Sequence, residues 1–145
     1  MEKWIPCDWL PTNDVFLDSV KYTNQDEKDT LELYFSGVND NCRYKIIFYN
    51  VFSYRITLEH FLFAPYSEKD FALICSQPYE FVYRIQNSLY VEEMNRCGMY
   101  DLNTELHVNH YRMQTDTHIV DVILHVSSKI IIEDISTNEI KQIDE

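Results

Sequence analysis

Four of the five histidines fall in the last third of the chain: His107, His110, His118 and His125. Imidazoles gathered this way are the first place to look for a metal centre or a general base. Their spacing argues against both. Side chains on a strand alternate between its two faces, so residues an odd number apart point to opposite sides. That holds for His107 with His110 and for His118 with His125. Parity leaves open a cross-strand pair such as His110 with His118, joined across a turn at residues 114–117. The histidines are otherwise ordinary packed or surface residues, and neither a metal nor a cofactor is expected.

Asp121 lies between Val120 and Val122 in an apolar run. A carboxyl in that setting is a candidate acid or base with a raised pKa. Period-two alternation also calls for a polar residue there, facing solvent or capping a turn, and this is the expected arrangement. Glu59 and His60 adjoin Phe61, Leu62 and Phe63 and read as a strand end. No serine or cysteine has a histidine at a telling spacing, although triads assembled from distant residues leave no such mark. The two glycines, Gly37 and Gly98, are far apart. A phosphate-cradling loop needs closely spaced glycines, because only bare backbone approaches the phosphate that tightly, so nucleotide-loop and nucleophile-elbow motifs are excluded. No catalytic or metal-ligating residue is assigned, and the binding residues stay unassigned.

The elements that would position such groups are mainly strands. Leu31, Leu33 and Phe35 alternate with Thr30, Glu32 and Ser36, which predicts a half-buried strand ending at Gly37. A turn rich in Asn and Asp follows, and residues 43–49 predict an antiparallel partner. Alternation resumes over residues 54–59, after a bulge or bend at residues 50–53. Further strands are expected over residues 16–22, 79–86, 106–113, 118–126 and 129–135. Ser88 reads as the N-cap of a short helix over residues 89–97, with Gly98 at its C-terminal end. A second helix is expected within residues 68–75. The fold class is therefore α+β and mainly antiparallel β: about seven strands, in a sheet or sandwich, with one or two short helices.

The chain's 145 residues fit one domain, 1–145. Twelve Lys and Arg against 24 Asp and Glu give a net charge of −12. Such a surface repels phosphate backbones and anionic lipid, so neither nucleic acid nor membrane is an expected partner. It suits solubility, or the steering of a basic protein. Pro6 and Asp8 interrupt any apolar run at the start, and no stretch approaches a membrane span. The four cysteines, Cys7, Cys42, Cys75 and Cys97, form no Cys-x-x-Cys pair. They read as free, mostly buried thiols of a cytoplasmic protein, with disulfides left open by their even number. Aromatics reach 14%. Tyr34, on the polar face beside Glu32, is a candidate exposed binding residue.

Leu31-Glu32-Leu33-Tyr34-Phe35, Tyr44 to Val51, Tyr54-Arg55, the Ser88 helix start, His110-Tyr111-Arg112 and Ile119-Val120-Asp121-Val122 together give a pattern spanning most of the chain. It resembles small bacterial cytosolic proteins akin to the immunity proteins encoded beside polymorphic toxins. The resemblance implies a non-enzymatic binding role and carries over no site residues. The leading expectation is a cytosolic protein that covers and neutralises a basic partner such as a cognate toxin. Two alternatives stand beside it. One is a small-molecule or metal-dependent enzyme on a β scaffold, using Asp121 and the C-terminal histidines. The other is an assembly module that pairs through a sheet edge.

Overall fold

The computed structural model describes residues 2–12, 14–26, 28–58, 74, 80–97 and 107–143. Along these run β1 (Lys3–Cys7), β2 (Val15–Gln25), β3 (Lys28–Gly37), β4 (Arg43–Tyr49), β5 (Val51–Leu58), β6 (Val82–Gln86), α1 (Leu89–Arg96), β7 (Val108–Gln114), β8 (His118–His125), β9 (Ile130–Asp134) and β10 (Glu139–Ile143). The strands form two five-stranded antiparallel sheets, ordered β1-β6-β7-β8-β5 and β10-β9-β4-β3-β2.

Alternation decides which face of each sheet turns inward. Leu31, Leu33 and Phe35 of β3, Tyr44, Ile46 and Phe48 of β4, and Ile130 and Ile132 of β9 are buried from one side. Val82 of β6, Tyr111 and Met113 of β7, and Val120, Val122 and Leu124 of β8 meet them from the other, in one shared core. Phe35 and Phe81 touch edge to face, with ring centroids 5.1 Å apart. Trp9, in the link after β1, packs on Tyr111 at 4.9 Å and Phe48 at 6.1 Å. It therefore joins the two sheets directly. Tilted and edge-on contacts of this kind suit the ring quadrupole and add to the area buried.

Among the described residues there are ten strands rather than about seven. Eight of them fall on the segments expected above, and the other two, β1 and β10, are five-residue edge strands. Neither carries clean alternation: β1 contains Pro6, and β10 is exposed over most of its length. The bend expected at residues 50–53 is present. Asn50 adopts φ 55°, and the pairing of β5 with β8 shifts between Val51 and Ser53. At that corner the chain leaves one sheet and enters the other. Gly37 ends β3, where an added Cβ would overlap the Asp40 carboxylate.

The helix forms where Ser88 predicts it. The Ser88 side chain accepts a hydrogen bond from the Val91 N–H at 3.1 Å, and Cys97 is the C-cap. Gly98, the second helix over residues 68–75 apart from buried Ile74, and Cys75 lie outside the described residues. Cys7 and Cys42 are half-buried and Cys97 is exposed. That corrects the expectation of mostly buried cysteines. Among the described residues, no helix is long and apolar enough to cross a membrane.

Candidate functional site

Asp121 sits mid-strand on β8, on the face turned away from the shared core. Register places Arg55 of β5 directly on one side of it and Arg112 of β7 on the other. Arg55 Nε donates to Asp121 Oδ2 at 3.0 Å, and Arg112 Nε donates to Oδ1 at 2.7 Å. His110, two positions before Arg112 and so on the same face, brings Nε2 to 2.6 Å from Oδ1. The His110, Arg112 and Asp121 side chains are buried.

Helix α1 closes over this cluster. Tyr90 and Val91 pack on Ile123 of β8. Ser88 Oγ lies 2.6 Å from His110 Nδ1. Glu2 reaches in from before β1, where its Oε2 accepts from the Leu89 N–H at 2.9 Å and its Oε1 from Trp4 Nε1 at 3.4 Å. A carboxylate at a helix start is favoured by the unpaired N–H groups there. The Arg112 guanidinium lies 4.7 Å from the Trp4 ring, with Nη1 buried and without an acceptor. Arg55 lies 4.1 Å from the Tyr90 ring and reaches Glu93 at 3.5 Å.

The electrostatics fix the proton positions. Burial alone would push the Asp121 carboxyl up, but the His110 hydrogen bond and the Arg112 charge outweigh it and hold the group below the usual carboxylate range. Burial pushes His110 down, against the opposing pull of Asp121, so the imidazole is neutral at pH 7. An ionised Asp121 accepts from Nε2–H, which leaves Nδ1 bare to accept from the Ser88 hydroxyl. Ser88 Oγ in turn accepts from Val91 N–H. One chain of hydrogen bonds thus runs from the helix backbone to the buried carboxylate.

Both sequence readings of Asp121 are corrected by this geometry. The carboxyl neither faces solvent nor has a raised pKa, because two in-register arginines and a histidine surround it. Nor do His110 and His118 pair. His110 lies opposite Ile123, whereas His118 lies opposite Leu58 and bonds Thr117 at 2.7 Å. His107 and His125 stack at 6.1 Å. Among the described residues, no three His, Cys, Asp or Glu converge as metal ligands. Glu59 and His60 lie outside the described residues. Tyr34 is half-buried and tied down: its hydroxyl donates to Glu32 Oε2 at 2.9 Å, and Lys45 lies over its ring.

The cluster has the order serine, histidine, carboxylate, which is the order of an activated nucleophile. Here Ser88 is buried beneath the helix it caps, and its oxygen already accepts from Val91. In this geometry the cluster anchors α1 to the sheet.

The surface offers a different feature. Among the described residues β5 ends its sheet, and it carries Phe52, Tyr54, Ile56 and Leu58 at 36%, 37%, 40% and 41% exposure. Tyr54 meets Tyr22 of β2, itself 44% exposed, at 5.7 Å. The strand contains no proline or lysine, and its one charge, Arg55, is turned to Asp121 and Glu93. Edge strands are normally guarded by such residues. Comparison with known proteins finds no matching family model, no matching curated protein and no matching solved structure.

Proposed function

We propose that the chain is a protein-binding module whose partner is basic, and that its particular form is an immunity protein neutralising a cognate toxin. The observation that carries this reading is the unguarded apolar row along β5 on a chain of net charge −12. Scattered exposed apolar residues are ordinary, whereas a contiguous row marks contact surface. An edge strand adds main-chain donors and acceptors that a partner strand can pair. The surrounding negative charge would raise the on-rate for a basic partner. Co-expression with the toxin-like product of a neighbouring gene tests the proposal. Rescue of growth and a stable one-to-one complex are expected; no rescue and no complex would overturn it. A monomer in light scattering would also set aside self-assembly through the same edge.

One observation favours a second reading, the order Ser88–His110–Asp121. An activated serine would react with a fluorophosphonate probe. Labelling of Ser88 in the folded protein would favour an enzyme; no labelling is expected.

A further inference from the structure

Arg84 stands where β6 should place an apolar side chain. Val82, two residues earlier, is fully buried in the core between the sheets, and Arg84 follows it onto the same face. Its register neighbours are Ile5 of β1 and Tyr111 of β7. Among the described residues, no hydrogen bond or ion pair engages its side chain. Inward charges often guard sheet edges, and Lys141 on the edge strand β10 fits that use. Arg84 does not, because β6 lies between β1 and β7. Its nitrogens are not among the sealed, unpartnered polar atoms, so the guanidinium keeps contact with solvent and is free to meet an anion.

Arg84 lines an opening of about 880 Å³ between the β1 and β10 ends of the two sheets. That size lies within the range of small-molecule sites. Ile5, Trp9 and Ile143 supply apolar wall, Asn109 an amide, and Lys141 a second cation. Asp8 also lines the opening, and its carbonyl accepts from Lys141 Nζ at 3.2 Å. Its carboxylate makes no ion pair with Arg84. Two cations and one carboxylate, Asp8, thus share a partly apolar mouth in a molecule that is otherwise strongly acidic.

We propose that this mouth binds a small organic carboxylate with an apolar body. The head group pairs with Arg84, whose planar fork matches a carboxylate, and the body lies along Ile5, Trp9 and Ile143. The net charge of −12 disfavours multiply charged anions and selects a single-charge head group. This site is independent of the β5 edge.

The test is an NMR titration of the ¹⁵N-labelled protein at constant ionic strength, with octanoate, octanol and inorganic phosphate as separate probes. Octanoate is expected to shift the Asn109 side-chain amide, the Trp9 indole and the Ile143 amide, with a Kd near or below about 1 mM. Arg84→Gln should weaken octanoate about tenfold or more, and Arg84→Lys should weaken it less, because a lysine keeps the charge but not the fork. On the unaltered protein, three results would overturn the proposal: no shifts with octanoate, octanol binding as tightly as octanoate, or phosphate doing so. Undiminished binding by a folded Arg84→Gln protein would do the same. Comparing octanoate with octanol on the unaltered protein decides the head-group claim even if that variant fails to fold.

Discussion

His110 Nε2 lies 2.6 Å from Asp121 Oδ1, with both side chains sealed from solvent. The pair sits at the centre of a cluster that spans three adjacent strands and is roofed by the helix. Removing any one member leaves the others buried and uncompensated, so the cluster's stability effects should be large and coupled.

Asp121→Ala strands Arg112 and Arg55 without their shared counter-charge. Breaking a buried pair from one side costs about 3–5 kcal/mol. Urea unfolding at neutral pH should show a loss of that size. A loss below about 1 kcal/mol, the scale of an exposed ion pair, would mean that the carboxylate is not buried as described.

Acidification should weaken the fold in two stages. Because burial lowers the His110 pKa, the unfolded chain binds more protons than the folded one as pH falls through the usual histidine value, about 6.5. Stability therefore falls with pH in that window. Asp121, held below the usual carboxylate range, keeps its contribution above about pH 4 and loses it at lower pH. Urea midpoints between about pH 7 and pH 5 should decline in the unaltered protein and decline less steeply in His110→Asn. Equal slopes would remove His110 as the cause.

Ser88→Ala deletes the helix cap and the proton given to His110. Loss of such a cap costs about 0.5–2 kcal/mol, and the buried imidazole should put this case at the upper end. Hydrogen exchange at the Val91 amide should quicken more than exchange in β3 or β4. Uniform quickening would indicate that the helix is not the element affected.

Ile56→Lys places a charge on the exposed row of β5. Global stability should change by about 0.5 kcal/mol or less, since the side chain is not part of the core. Binding of an apolar dye should fall, and so should binding of the basic partner proposed above. A partner bound equally well by this variant would place the interface elsewhere.

The fold was legible where one face is buried and the other wet. Leu31, Leu33 and Phe35 are buried and Glu32 is not, so period two is written plainly in β3. The site was harder to read because β8 is buried on both faces. There alternation no longer separates inside from outside, and Asp121 looked like any polar position. Its partners leave a readable mark: Arg112 sits among Tyr111 and Met113, and Arg55 between Tyr54 and Ile56. A buried cation demands a counter-charge. Strand order, which sequence alone did not supply, is what makes those arginines flank Asp121. The role of Glu2 was invisible for the same reason, since β1 pairs with β6 across most of the chain.

The corner at Asn50 has a consequence for how the molecule comes together. One residue separates β4 from β5, and the backbone also passes between the layers from β1 to β2 and from β8 to β9. Among the described strands, no single cut leaves two sheets each built from one continuous stretch. Denaturation should therefore be one cooperative event. Assembly must also wait for pairings between distant stretches, such as β1 with β6 and β4 with β9, which places it with the slow all-β folders on the millisecond-to-second scale.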